Sequence, residues 1–173
     1  MTYRRTLAMV PGVVSLDHHM ITDRIAQGGL GHNPRQVPAL VELAFSKFDV
    51  VVLCAVELQP KVHVPKGKRL MRFPIDDDDY RPLPPEVGLL AHQMGAQLAR
   101  LARSGKRVLI TCAQGVNRSG LITAMTLLYA TNLPPKAIVD LIRKKRKAGG
   151  GFFPLCNPMF EMFVLNARRA NFG

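Results

Sequence analysis

The run Val-Val-Val-Leu-Cys-Ala-Val from Val50 to Val56 restricts the fold more than any other feature of the sequence. An unbroken apolar, largely β-branched run without polar alternation suits a strand buried on both faces, and sheets covered on both faces are built with helical crossovers. Arg107 to Thr111 offers a second short strand, and Lys68 to Ile75 a third, ended by Pro74 and an acidic turn. Between these, Val87, Leu90, Ala91, Met94, Leu98 and Leu101 recur at helical spacing from Glu86 to Arg103, with Gly105 as the stop. Strands alternating with helices predict an α/β fold, a central, mostly parallel twisted sheet flanked by helices.

The remaining elements fit that frame. Val13, Val14 and Leu16, then Ile21 to Ala26, read as short strands at the sheet margin, and Gln27 to Asn33 as a loop. Asn33 is placed to cap a helix with Pro34 at its first position, with Leu40, Val41, Ala44 and Phe45 on its buried face. Arg118 to Tyr129 is apolar nearly all round and predicts a buried helix. Two more helices follow, one opened by Pro134-Pro135 and one after Pro158. With no repeat or linker-like tract, the 173 residues read as a single domain, 1–173, large enough to bury a core without disulfides.

Three cysteines, Cys54, Cys112 and Cys156, share no Cys-x-x-Cys spacing, which argues against a disulfide framework and a structural zinc site. No apolar run approaches the roughly 20 residues that span a bilayer, and no signal-peptide pattern is read, so the expectation is a cytoplasmic chain without membrane insertion. Lys and Arg number 24 against 12 Asp and Glu, a net charge of +12 that attracts anionic partners without choosing among them.

The chemistry concentrates where Val108-Leu-Ile-Thr-Cys112 runs through Ala113, Gln114, Gly115, Val116 and Asn117 into Arg118-Ser119-Gly120. A cysteine at the carboxyl end of a strand, five turn residues and an arginine at a helix start make a cradle for a tetrahedral anion. Backbone N–H groups from Ala113 to Arg118 can point inward, and Gly115 can take the positive φ of the curl. Arg118 supplies a rigid two-pronged fork. A cation and a helix start beside a thiol favour its ionised, nucleophilic form. Ser119 can donate a hydrogen bond to that sulfur.

Cys-x5-Arg-Ser with glycine at the third intervening position resembles the signature of the cysteine-dependent protein tyrosine phosphatase superfamily. Asn117 and the small size are similar to its dual-specificity branch. The resemblance runs from about Ile21 to Leu165. It takes in Leu53-Cys54-Ala55-x-Glu57, Phe73-Pro74-Ile75-x-Asp77, Gly105-Lys106-Arg107-Val108 and the tail from Arg146 to Phe160. It implies a phosphatase that passes through a cysteinyl-phosphate on Cys112, without metal or other cofactor. Among Asp76, Asp77, Asp78 and Asp79 it points to Asp77 as the general acid, with Asp78 second. Most relatives carry His where this chain has Thr111, which implies slower turnover. In the tensin-like lipid phosphatases a cysteine placed like Cys54 can trap the nucleophile as a disulfide.

The resemblance implies a phosphorylated protein substrate, with phosphotyrosine and phosphoserine or phosphothreonine both open. An RNA 5′-triphosphatase is the alternative, favoured by Gly115-x-Asn117-Arg118-Ser119-Gly120 and the charge, and disfavoured by Ala113-Gln114 where that branch carries Thr-His. A phosphate-binding pseudophosphatase is the non-enzymatic reading. Arg143 to Lys147 reads as a solvated helix end, or else a dock for acidic substrate. His18, His19 and His32 lack metal-ligand spacing, Gly28-Gly29-x-Gly31 is not a nucleotide fingerprint, and Cys156 reads as packing.

Overall fold

The computed structural model describes residues 15–148 and 153–170. Five strands form one sheet: β1 (Asp17–Met20), β2 (Ile25–Gly29), β3 (Val50–Ala55), β4 (Arg69–Ile75) and β5 (Val108–Cys112). Five helices accompany them: α1 (Val37–Lys47), α2 (Pro85–Arg103), α3 (Arg118–Ala130), α4 (Pro135–Ala148) and α5 (Pro158–Asn166). The strand order is β1-β2-β5-β3-β4, with β1 antiparallel to β2 and the other neighbours parallel. This is the mostly parallel α/β sheet that the apolar runs predict. β3 and β5 are buried at every position, as strands covered on both faces must be.

β5 occupies the centre, so its carboxyl end opens between β2 and β3, where parallel sheets place their ligand sites. α3 leaves directly from that end and packs against β2, β3 and β5, with every residue from Arg118 to Leu128 buried. α2 lies along α3, and Gly95 lets the two backbones come close. A Cβ there would sit 2.6 Å from the carbonyl carbon and 2.7 Å from the carbonyl oxygen of Met125.

Several local expectations change. Val13 and Val14 lie outside the described residues, as do 149–152 within the tail. Leu16 precedes β1, and Ile21 to Arg24 form a bend before β2 begins at Ile25. Gln27, Gly28 and Gly29 are strand, not loop, paired with Ile110, Thr111 and Cys112 of β5. The two glycines mark close backbone approach: a Cβ on Gly28 would lie 2.2 Å from the Asp17 carbonyl oxygen, and one on Gly29 2.9 Å from the Gln114 carbonyl carbon. Asn33 does not cap α1. Its Oδ1 accepts from the Arg35 N–H at 3.1 Å and its carbonyl from the Gln36 N–H, closing a turn that delays the helix to Val37. β4 continues through Pro74 to Ile75, which an edge strand tolerates.

An alanine in an exposed helix interior is about 1 kcal/mol better than glycine. At Gly95 the sign reverses, because the added methyl meets backbone that cannot yield without parting α2 from α3. Gly95→Ala is expected to destabilise by about 1–3 kcal/mol, seen as a lowered Tm in thermal unfolding.

Candidate active site

The turn from β5 to α3 is held from outside at successive carbonyls. The Cys112 carbonyl accepts from Leu30 N–H and the Ala113 carbonyl from Gly31 N–H, both at 2.9 Å. Arg146 Nη2 reaches the Gln114 carbonyl at 3.4 Å, Gln27 Nε2 the Gly115 carbonyl at 2.9 Å, and Leu155 N–H the Val116 carbonyl at 3.3 Å. A peptide unit whose oxygen is bound on the outer side of a tight curl directs its N–H toward the inner side. Gly115 sits at φ +67°, and a Cβ there would meet the Gly28 carbonyl carbon at 2.6 Å, so conformation and space both exclude a side chain.

The residues inside the curl enclose a cavity of about 170 Å³ lined by His32, Asp77, Cys112, Gln114, Val116, Asn117 and Arg118. Cys112 is 2% exposed, and its Sγ lies 3.3 Å from Ser119 Oγ. Arg118, the first residue of α3, is 8% exposed. Its Nη1 and Nη2 donate to Glu57 Oε2 and Oε1 at 2.5 and 2.8 Å, while Nε is buried without a protein partner. Burial works against the guanidinium's charge, but Glu57, Cys112 and Asp77 outweigh it and raise its pKa further. The same bidentate pair lowers the Glu57 carboxyl pKa below its usual value. The fork is thus fixed in plane, with its Nε–H still unpartnered.

Of the four aspartates, Asp77 alone lines this cavity; Asp76 and Asp78 border a separate hollow beside Pro82 to Pro84. Asp78 Oδ1 instead accepts from the N–H groups of Tyr80 and Arg81 at 2.9 and 3.2 Å, a turn-capping role. Asp79 is exposed. Ala113 and Gly115 shape the turn without lining the cavity, and Ser119 lies behind the sulfur.

Thr111 turns its hydroxyl away, donating to the Val52 carbonyl of β3 at 2.7 Å. Cys54 follows Leu53, the β3 partner of Thr111, and is wholly buried; burial first, and the Cys112 sulfur second, push its thiol pKa well up. Cys156 is not packed. It is exposed, with its thiol donating to Asn117 Oδ1 at 3.3 Å.

Arg143 to Lys147 is not simply a solvated end. Arg143 binds the carbonyls of Pro154 and Leu155 and the Glu161 carboxylate, and Arg146 is fully buried against Asp17, His19 and Gln114.

Glu57, Gln27, Arg146, His32 and Asn157 join the site without having been assigned a role from sequence. Asn157-Pro158 carried a signal, since asparagine before proline marks a helix start. A glutamine inside an apolar strand, such as Gln27, was another. Arg146 carried none, because its partner Asp17 is distant in the chain. Among the described residues, no helix is long and apolar enough to cross a membrane, and no group of three or more His, Cys, Asp or Glu is placed to hold a metal ion.

A scan against protein-family models finds no match, and no curated protein matches the sequence. Solved structures do match. Human DUSP28 is similar at 17% identity with a TM-score of 0.65, covering 87% of this chain and 92% of that one. A mouse putative dual specificity phosphatase, solved with zinc tungstate, is similar at 16% identity with a TM-score of 0.67, covering 88% and 86%. OH1 from the Orf virus, described as a tyrosine phosphatase with triple substrate specificity, is similar at 20% identity with a TM-score of 0.62, covering 90% and 88%. The chain has the fold of the cysteine-dependent tyrosine phosphatases, in their compact dual-specificity form.

Proposed function

We propose that residues 1–173 form one catalytic domain, a cysteine-dependent phosphatase acting on phosphate monoesters of proteins. The observation that carries this reading is the curl of Ala113 to Arg118, whose carbonyls are bound on its outer side so that its amides are left for an anion seated on Cys112. The unpartnered Nε of Arg118 is a donor for a phosphate oxygen, with the fork already aligned by Glu57.

The chemistry runs in two displacements. The Cys112 thiolate attacks phosphorus, the bond to the ester oxygen breaks, and Asp77 gives its proton to that oxygen as it leaves. The amides and Arg118 carry the charge that spreads over the equatorial oxygens. Water then attacks the cysteinyl-phosphate, surrendering a proton to the Asp77 carboxylate, while Ser119 donates a hydrogen bond to the departing sulfur. Phosphate and the starting thiolate result, so no cofactor is consumed.

Substrate choice is tested by comparing phosphotyrosine peptide, phosphoserine peptide and 5′-triphosphorylated RNA. The protein reading expects peptide turnover to exceed phosphate release from RNA. The reverse order would move the assignment to an RNA 5′-triphosphatase. Cys112→Ser is expected to retain phosphopeptide binding and lose turnover to background. Equal turnover by wild type and Cys112→Ser would remove the covalent mechanism, and an inactive wild type that still binds phosphopeptide would make the chain a pseudophosphatase.

Asp77→Asn is expected to slow phosphoserine hydrolysis by about 100-fold, within the range for general acid catalysis. Asn at Asp76, Asp78 or Asp79 should change it far less; a larger loss at Asp78 would reassign the acid.

The resemblance suggests a protective role for Cys54, against the alternative that it is a small apolar residue near the end of β3. Peroxide oxidises the Cys112 sulfur to a sulfenic acid, Cys54 attacks it, an S–S bond forms and the hydroxyl leaves as water. Mass mapping after mild peroxide should find a Cys54–Cys112 link; sulfinic Cys112 with reduced Cys54 would end that role.

A further inference from the structure

Asp77 follows the end of β4 and belongs to a stretch without regular structure, so no ladder of backbone bonds fixes its carboxyl group. Two amides do so instead. Asn157 Nδ2 donates to Asp77 Oδ1 at 2.9 Å and to the Asp78 carbonyl at 3.0 Å, and Asn117 Nδ2 donates to Asp77 Oδ2 at 3.2 Å. Each carboxyl oxygen therefore has its own donor, one from the cradle and one from the start of α5.

Asn157 is itself immobilised. It is 2% exposed, and its Oδ1 accepts from the N–H groups of Met159 and Phe160 at 2.9 and 3.1 Å as the cap of α5. Its backbone N–H donates to Asn117 Oδ1 at 3.1 Å, joining the two amides to each other. The chain enters this position through Leu155, a buried residue at φ 55°, a conformation that costs a non-glycine residue and persists only where the surroundings impose it. Here they do: Arg143 Nη2 holds the Leu155 carbonyl at 2.8 Å, and the Leu155 N–H reaches the Val116 carbonyl.

Capping alone does not explain the residue. An N-cap needs only an acceptor, which serine, threonine or aspartate provides as well. The Nδ2 donors toward Asp77 and Asp78 are what only the amide supplies.

We propose that Asn157 is a positioning residue for proton transfer, a bracket that sets the Asp77 carboxyl over the cradle. This rests on the roles given above to Cys112 and Asp77. A misplacement on the order of 1 Å costs about 100-fold in a step that depends on alignment. The step concerned is protonation of the leaving oxygen, which a poor alkoxide needs and an activated phenoxide hardly does.

The test compares full-length wild type, Asn157→Ser and Asn157→Asp on phosphoserine peptide and on an aryl phosphate with a strongly acidic leaving phenol, alongside thermal unfolding. Both substitutions keep a cap acceptor, so the helix start survives in at least one. The expected result is a loss in kcat/KM, which reports formation of the cysteinyl-phosphate and not its hydrolysis, about tenfold greater on the alkyl phosphate than on the aryl phosphate. In an Asp77→Asn background that difference should vanish. Equal losses on both substrates, or an undiminished difference without Asp77, would leave Asn157 a helix cap and overturn the proposal. Failure of wild type to hydrolyse even the activated aryl phosphate would instead sink the reading of Cys112, and the bracket with it.

Discussion

The site depends on which way six peptide units face between a strand and a helix. A tight curl has no internal partner for its carbonyls, and buried carbonyls without partners are costly. Here β2, the residues after it, α4 and the lead into α5 each bind one or two of them from outside. The close approach is possible because Gly29 and Gly115 present no side chains where these backbones meet. The inward character of the cradle is thus a property of its surroundings as much as of its own sequence.

The basic composition takes on a different meaning in this light. An excess of cations in a sequence suggests a charged exterior, yet three arginines that frame the site work inward. Arg118 is locked by Glu57, Arg143 fastens the approach to α5, and Arg146 lies fully buried behind the curl. A guanidinium can bridge several carbonyls and a carboxylate in one plane, which an ammonium cannot. Arg146 does so with Asp17, the Gln27 carbonyl and the Gln114 carbonyl. Its Nε remains buried without a protein partner.

What was legible in the sequence divides along the same line. The β-branched runs of β3 and β5, the spacing of α2 and the Cys112–Arg118 interval each encode their outcome locally, and they gave the sheet, the crossover helix and the cradle. Gln27 to Gly29 misled because glycine pairs signal a loop as readily as a strand pressed against other backbone. Asn33 misled because the same side chain closes a turn or caps a helix, and the local geometry chose the turn. Glu57 and Arg146 acquire their roles through partners 61 and 129 residues away, pairings that no periodicity announces.

Among the described residues β4 is an edge of the sheet, and the unpaired amides and carbonyls of an edge strand can accept another strand. Pro74 lies within that strand and has no N–H to offer, while Arg69 and Arg72 project charge from it. Arg72 also donates to the Pro60 carbonyl at 2.6 Å. The strand that carries the chain to Asp77 is therefore also a border furnished with proline and arginine, residue types that discourage the addition of another strand.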